Sequence, residues 1–417
     1  MAAFFGTLMF QVNHVGAQDW LQWGGPNGDF TVEAIGLSDQ WPTDGPKQLW
    51  KRSMGEGYSS ILHKNGKLFT MYSNGDNEIV ISLDAKTGKT EWEHSYPRTF
   101  WPDMREQFGR GPNASPLIFN DHIITVGIAG DLHCLDLNSG KLLWKHNLTA
   151  EYGRRERMEE YGYSASPIPY KNMVIVHVGG DDHSLVAYNP EDGSIIWEAG
   201  PGGVSYAQAT IIKLAGQDQF IYFSPEGVNG LDPVTGKLLW HHTIPIDNGN
   251  HLTPIVQCDE DHIFVSSQFD TGGGRLLKIS RVEQKMEAEE LWFETNLRGS
   301  CWTLFRIGDY IYGSAGSHSS SKFTAFEWRT GKIAWEHRMF TMAQCLYADN
   351  KAIFLDQKGF LTIAKVSPES FDILSSVKMT DQVSWTLPTL IGTKLYLRDR
   401  KSILALELGE QRELIYP

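Results

Sequence analysis

Ten residues that could bind a ligand lie in or beside eight short polar segments that contain no Asp or Glu. The segments cover residues 57–60, 111–116, 162–167, 205–208, 250–254, 300–303, 342–345 and 383–386. The candidate binding residues are Tyr58, Arg110, Asn113, Tyr163, Tyr206, Gln208, His251, Trp302, Gln344 and Trp385. Flat rings beside amides and hydroxyls suit a sugar or a peptide segment, and Arg110 offers a cation for a carboxylate. The alternative is a purely structural role, in which the hydroxyls bond backbone groups at the strand ends and the aromatic rings close the central channel.

A repeated phrase predicts the elements that position these segments. It consists of an acidic residue or its amide, a Gly four positions later and a Trp four positions after that, as in Asp84, Gly88 and Trp92. Alternating apolar runs precede each copy, so the unit reads as strand, tight turn and strand. The tryptophans recur 43 to 53 residues apart, which is typical of a repeat fold. Tryptophan can fill the space between neighbouring sheets, so we predict structural docking roles for Trp50, Trp92, Trp144, Trp197, Trp240, Trp292 and Trp335.

Counting the repeats predicts an all-β fold, an eight-bladed β-propeller of four-stranded antiparallel blades. The copy at Trp292 has lost its turn to a charged insert at residues 281–290, and two further units follow Trp335. The last of these units lacks an outer strand. The segment 45–51, with Trp50 in the repeat position, is predicted to supply that strand and close the ring, which leaves no open sheet edge between first and last blades. Seven blades is the alternative.

The repeated tryptophan phrase resembles the docking motif of quinoprotein-like β-propellers, and the resemblance covers nearly the whole chain from Trp20 onward. Residues 19–27 also resemble the opening segment of a bacterial secreted subgroup with PQQ-binding-like repeats. The family contains quinoprotein dehydrogenases and non-enzymatic propellers, among them the propeller lipoprotein of the outer-membrane barrel assembly machine. The resemblance therefore implies a fold and leaves the function open.

For a dehydrogenase, the resemblance implies a quinone held against a disulfide between adjacent cysteines, with bound Ca²⁺ and an Asp base. This sequence has no adjacent cysteine pair, and its eight polar segments lack the carboxylates that calcium favours. We therefore expect no cofactor and no catalytic residue. The favoured function is a non-enzymatic scaffold for a protein or glycan partner. The alternative is a PQQ- and calcium-dependent dehydrogenase that oxidises an alcohol or sugar with an atypical site.

Composition limits which partners and which cellular locations fit the protein. A net charge of −13 without a basic stripe argues against nucleic-acid binding, and no apolar run is long enough to span a membrane. Residues 1–18 read as a leader, with an apolar run at 2–10 and a small-residue cleavage site before Gln18, although no Lys or Arg occurs before Lys47. We expect a periplasmic or extracellular monomer with one propeller domain over residues 19–417. A disordered leader is the alternative.

Several smaller features complete these expectations. Cys134 and Cys258 are expected as buried free thiols, as are Cys301 and Cys345, for which a disulfide in adjacent blades is the alternative. Two inserts, residues 99–110 and 151–161, are predicted to overhang the same mouth of the channel, for recognition or as a lid. No metal site is predicted, because Asp181, Asp182 and His183 read as a solvated hairpin.

Overall fold

A computed structural model describes residues 18–98, 109, 111–153, 161–180, 183–200, 203, 206–244, 253–268, 272–315, 322–338 and 342–409. Side chains are described for all of these except residues 300–302 and 315. Within these ranges the strands form eight sheets, each built on four antiparallel strands, which we number as blades in chain order; a short fifth strand pairs in parallel with one of them. The predicted eight-bladed propeller is confirmed, and the alternative of seven blades is wrong.

In the first four blades the strands follow one another from the innermost to the outermost position. Blade 1 contains β3 (Leu62–Lys64), β4 (Lys67–Ser73), β5 (Asn77–Asp84) and β6 (Thr90–Pro97). Blade 2 contains β7 (Leu117–Phe119), β8 (His122–Val126), β9 (Asp131–Asp136) and β10 (Leu142–Asn147). Blade 3 contains β11 (Ile168–Tyr170), β12 (Met173–His177), β13 (Leu185–Tyr188) and β14 (Ile195–Ala199). Blade 4 contains β15 (Thr210–Leu214), β16 (Gln217–Ser224), β17 (Gly227–Leu231) and β18 (Leu238–Thr243).

The remaining blades keep this order, and strands from the N-terminal region join the last two. Blade 5 contains β19 (Val256–Gln257), β20 (His262–Ser267), β21 (Gly273–Val282) and β22 (Lys285–Glu294). Blade 6 contains β23 (Gly299–Ile307), β24 (Tyr310–Ala315), β25 (Lys322–Glu327) and β26 (Ile333–His337). Blade 7 contains β27 (Ala343–Ala348), β28 (Lys351–Asp356), β29 (Phe360–Val366) and β30 (Phe371–Lys378), with β1 (Thr31–Val32) beside β27. Blade 8 contains β31 (Thr389–Ile391), β32 (Lys394–Arg398), β33 (Ser402–Glu407) and the closing strand β2 (Lys47–Ser53).

The ring closes through β2, as the sequence predicts. This strand lies antiparallel to β33, with Trp50 opposite Ala405. The first and last parts of the chain therefore share one sheet, in which β33 is hydrogen-bonded to β32 on one side and to β2 on the other. These backbone hydrogen bonds hold the two ends of the ring together. The middle strands of the blades are almost completely buried, for example β12 and β13, whereas the outer strand β10 alternates between half-buried and exposed residues.

The N-terminal segment before β2 lies across one end of the ring. Trp20 exchanges two backbone hydrogen bonds of 2.9 Å with His63 of β3, and Leu21 accepts one from Ile118 of β7. Farther along, Thr31 lies opposite Tyr347 of β27. The segment thereby contacts innermost strands of blades 1, 2 and 7, and the Trp20 side chain is fully buried. The opposite end, where the innermost strands begin, is called the mouth below.

The repeated phrase joins each blade to the next. Within the phrase, Asp84 accepts hydrogen bonds from the backbone N–H and the hydroxyl of Thr87, and Gly88 takes a φ of 69°. The tryptophan of the preceding blade lies over this glycine and donates from its indole N–H to the carbonyl of the residue after the acidic position. Five such bonds of 2.8 to 3.2 Å are formed by Trp50, Trp92, Trp144, Trp197 and Trp292. Trp335 forms a sixth bond of 2.9 Å, to the carbonyl of Ser367 in blade 7, whose turn lacks the phrase. Packing and a satisfied indole N–H together link neighbouring sheets.

Trp240 is the exception, and the charged insert explains it. The insert lengthens β21 and β22 to ten residues each, and the two strands form a long hairpin. Blade 5 therefore lacks the turn of the repeated phrase, to which Trp240 would otherwise bond. Trp240 donates instead to Gln219 in its own blade, at 2.6 Å. Glu290 of the hairpin lies 3.0 Å from His242 of β18 and 3.2 Å from Arg275. Side-chain contacts of the longer hairpin thus connect blades 4 and 5.

One short helix, α1 (Leu148–Tyr152), follows β10 in the part of the chain that the structure describes. Asn147 caps it by accepting a hydrogen bond from the backbone N–H of Ala150, as polar N-cap residues do. None of the described residues forms a helix with the length and apolar content needed to cross a membrane.

The cysteines agree with the expectation of free thiols where they are described. Cys134, Cys258 and Cys345 are free and buried. The alternative disulfide between Cys301 and Cys345 is wrong, because Cys345 is free. The hydroxyl of Thr303 in β23 lies 2.9 Å from the Cys345 sulfur. Burial raises the pKa of the Cys345 thiol to about 12, so the thiol stays protonated.

Candidate functional site

The polar segments at the mouth bond neighbouring blades to one another. Ser59 donates from its hydroxyl to the carbonyl of Ala114 at 2.6 Å, and Ser115 accepts from the backbone N–H of Ser60 at 3.0 Å. The pattern continues through the bond from the Ser115 N–H to the Ser166 hydroxyl, at 2.9 Å. We call this set of side-chain bonds between segments the inner belt. Further members are Gln208 bonded to Ser166, Thr303 to Cys345, Gln344 to Trp385, Thr386 to Tyr58 and Thr389 to Ile61.

Three predicted binding residues have structural partners. Gln208 exchanges hydrogen bonds of 2.7 and 3.1 Å with the backbone N–H and carbonyl of Ser166. Asn113 donates to the carbonyl of Tyr161 at 2.8 Å. Tyr163 is 3% exposed and donates from its hydroxyl to the carbonyl of Val178 at 3.0 Å. Since their polar atoms already bond backbone groups, these side chains fix the geometry of the mouth.

Three other predicted residues come together where blades 7, 8 and 1 meet. The rings of Tyr58 and Trp385 lie 4.9 Å apart at an angle of 37°. Gln344 donates to the carbonyl of Trp385 at 3.2 Å, and the indole N–H of Trp385 donates to Gln357 at 3.3 Å. Burial raises the pKa of Tyr58 to about 12, so its hydroxyl remains protonated at neutral pH. The half-buried aromatic pair presents the flat, partly polar surface that a ligand ring or a peptide can stack on.

Tyr206 belongs to a second aromatic contact at the mouth. Its ring meets that of Tyr161 edge to face, with centroids 5.4 Å apart. Arg110 and His251 lie outside the described residues, as does the side chain of Trp302. Most of the two inserts, and Asp181 and Asp182 of the predicted hairpin, lie outside them too.

Sequence reasoning missed a cluster of cations on the mouth face. Arg398 ends β32, and Arg400 and Lys401 occupy the turn that follows it. Arg398 is 1% exposed and donates to the carbonyls of Ser59 and Met71 in blade 1. Burial lowers its pKa to about 10, which leaves it charged at neutral pH. The only signal in the sequence was a basic turn between two apolar runs, which by itself indicates a solvated hairpin.

A cavity of about 590 Å³ lies beside these cations, between blades 8 and 1. It is lined by residues 54–56 after the closing strand, by the turn at 73–75 and by residues 400–401. Arg400 bonds Glu56 at 3.0 Å, and Lys401 lies 3.8 Å from the same carboxylate. We call it the seam cavity. Its volume falls in the range of ligand pockets, about 300 to 1,000 Å³.

The described residues do not fit the calcium and quinone site that the resemblance implies. Among them, no three His, Cys, Asp or Glu side chains lie close enough to share a metal ion. The hydroxyls of Ser59 and Ser115 and the amide oxygen of Gln208 bond backbone groups of neighbouring blades, and the sequence has no adjacent cysteines. We derive no chemical step through that cofactor.

Eight four-stranded blades, joined by tryptophans on a repeated turn, define this chain as a PQQ-like β-propeller. The family model described as outer membrane protein assembly factor BamB matches residues 76–337. The chain belongs to that family.

Individual relatives are distant. The quinoprotein alcohol dehydrogenase PedH of Pseudomonas putida is 26% identical over 131 residues, which cover 30% of this chain and 20% of PedH. An uncharacterized protein of Rickettsia conorii, RC0314, is 22% identical over 218 residues, 43% of this chain and 49% of that protein. The chain thus matches less than half the length of these curated relatives.

Among solved structures, the quinohemoprotein alcohol dehydrogenase of Comamonas testosteroni superposes with a TM-score of 0.51 at 12% identity. The superposition covers 96% of this chain and 82% of the dehydrogenase. A europium-containing methanol dehydrogenase gives a TM-score of 0.52 at 13% identity, covering 93% of this chain and 89% of that enzyme. Both likenesses show the fold.

Proposed function

We propose that this protein is a non-enzymatic scaffold of the periplasm or the extracellular space, which holds a protein or glycan partner on its mouth face. The family to which it belongs carries the description of an assembly factor for outer membrane proteins, which supports a role in holding other proteins. The observation that carries the proposal is the inner belt. Its side chains link blades 6, 7, 8, 1, 2, 3 and 4 in one continuous series of hydrogen bonds.

This arrangement favours recognition over chemistry. A general acid or base must reach the reacting atoms of a substrate, within hydrogen-bond distance or through one water. The oxygen of Gln208 and the hydroxyl of Ser115 are instead bonded to backbone N–H groups of neighbouring blades. A rigid ring that presents the Tyr58 and Trp385 rings beside cationic side chains is suited to binding a partner without reorganising.

A PQQ-dependent alcohol or sugar dehydrogenase is the second candidate. It is favoured by the alignment with PedH over 131 residues, which is more specific than a likeness of fold. This candidate requires that residues outside the described ranges supply metal ligands and a base.

Calorimetric titration with PQQ, with and without Ca²⁺, separates the two candidates when it is paired with dye reduction in the presence of alcohols and sugars. We expect neither calcium-dependent binding nor dye reduction. Tight calcium-dependent binding together with dye reduction would overturn the scaffold proposal.

Peptide and glycan arrays supply the positive test. We expect ligands that bind the wild type and are lost in Trp385→Ala, whose ring belongs to the mouth. Trp328→Phe, a buried substitution in blade 6, is the matched control and should retain them. If no array ligand depends on Trp385, the mouth is not the binding surface.

A further inference from the structure

The seam cavity exists because the ring is closed by distant parts of the chain. Residues 54–56 follow the closing strand, and Arg400 lies 344 positions away from Glu56 in the sequence. Asp399 holds the turn by accepting from the backbone N–H groups of Lys401 and Ser402, at 2.8 and 2.6 Å. Arg400 and Lys401 therefore project from a fixed turn and not from a free loop.

The lining is cationic although the protein is acidic. It carries Arg400 and Lys401 against one carboxylate, Glu56, in a chain of net charge −13. The buried guanidinium of Arg398 adds a further positive charge beneath Gly57, where a β-carbon would lie 2.7 Å from Arg398 Nη2. Such a focus of positive charge raises the local concentration of anions.

Several N–H donors in this region have no acceptor among the described residues. They are Nε and Nη2 of Arg398 and Nε of Arg400, all of which are buried. Buried donors in native proteins are normally hydrogen-bonded, to protein, water or a ligand. Arg400 donates from Nη2 to Glu56, whereas its Nε has no acceptor among the described residues. The guanidinium can therefore donate a hydrogen bond to a second oxygen.

Glu56 shows what the cationic pair accepts. One of its oxygens lies 3.0 Å from Arg400, and the other lies 3.8 Å from Lys401. The pair is thus spaced to hold a carboxylate, and Glu56 neutralises it in the absence of a ligand. We infer that the seam cavity binds a carboxylate-bearing ligand, with Arg400 and Lys401 as the cations that hold it and Glu56 as its internal competitor.

This inference rests on the proposed function, because it names the chemistry by which the mouth face recognises a partner. The carboxylate has two sources with the same chemistry: an acidic peptide segment or a small free polycarboxylate. The cavity is open to both, so both are tested.

The test measures binding of a fluorescein-labelled glutamate tetrapeptide and of citrate, in buffer without other carboxylates or phosphate. We expect Lys401→Gln and Arg400→Lys each to weaken binding about tenfold, since each loses a charge-assisted hydrogen bond or its fork geometry. Glu56→Gln should tighten binding, because it removes the competing charge. Arg329→Gln, on an exposed arginine of blade 6 paired with Asp309, is the control for overall charge and should leave binding unchanged.

The two sources give different results. Binding of the peptide but not of citrate identifies an acidic peptide segment as the ligand. If the two probes have equal affinity per carboxylate group, the ligand is a free polycarboxylate. Absence of binding by both probes, in the wild type and in Glu56→Gln, overturns the inference, as does binding that Lys401→Gln and Arg400→Lys leave intact. The proposed function fails separately, through calcium-dependent turnover with PQQ. Lys401 is 58% exposed at its side chain, so its replacement tests the cavity without endangering the fold.

Discussion

Glu78 provides a sharp test of how the blades are joined. It lies on β5, is fully buried, and faces blade 2, where the backbone N–H of Ile128 donates to it at 3.0 Å. Tyr96 of its own blade donates from its hydroxyl at 3.1 Å. Burial has the largest effect on the pKa of Glu78 and raises it from 4.5 to about 7, although the hydrogen bonds from Ile128 and Tyr96 lower it. The charge of Asp131 adds a smaller increase, and that of Arg98 a smaller decrease.

The size and sign of the effect follow from this shift. Between about pH 4.5 and 7 the folded protein keeps a proton that the unfolded chain has released, so the free energy of unfolding falls as pH rises. Above pH 7 the loss is complete, and it amounts to about 3 kcal/mol at 1.36 kcal/mol per pH unit. Glu78→Gln replaces the carboxyl by a neutral group of similar shape. We expect the variant to match the wild type near pH 4 and to be more stable by about 3 kcal/mol at pH 8.

Urea unfolding followed by tryptophan fluorescence from pH 4 to 8 measures the difference between variant and wild type. Taking this difference removes the contributions of other titrating groups. Glu91→Gln on the neighbouring strand β6 is the control, since Glu91 is 41% exposed and 3.6 Å from Lys67. It should change stability by less than about 0.5 kcal/mol at every pH. The reasoning would be refuted if Glu78→Gln were destabilised by the same amount across the whole range.

Two further substitutions test the interior and the blade junctions. His177 is buried against Phe220, and burial lowers its pKa to about 4, so acid favours the unfolded chain. Between pH 8 and 5 the wild type should lose about 2 kcal/mol more free energy of unfolding than His177→Phe, measured by urea unfolding. An equal loss in the two proteins would contradict this. Gly193 has a φ of 74°, and a β-carbon there would lie 2.8 Å from Trp144. Gly193→Ala should therefore lower the melting temperature more than Gly392→Ala, whose φ is 61° but whose β-carbon has no neighbour within 4 Å. If both variants lost the same amount, the contact of the glycine with Trp144 would make no contribution to stability.

The candidate site was only partly predictable from the sequence. Tyr58, Gln344 and Trp385 do meet, because each precedes or begins an innermost strand and these strands converge at the mouth. Asn113 and Gln208 occupy equivalent positions and also bond backbone groups, as the Gln344 amide does, but of the three amides only that of Gln344 bonds a residue of the aromatic pair. Residue type cannot separate these cases, since an amide at a strand entrance serves a ligand or a neighbouring blade equally well.

Local repetition let the sequence by itself determine the architecture. Each phrase encodes a turn and a docking tryptophan within about ten residues, so the blade count and the closing role of Trp50 are present in the linear pattern. The seam cavity was decided only by tertiary structure. Glu56 and Arg400 belong to segments with no shared period, and they meet because closure of the ring brings the two ends of the propeller side by side. Burial of Glu78 and Arg398 between blades has the same origin, because a charge is desolvated by neighbours that lie far away in the sequence.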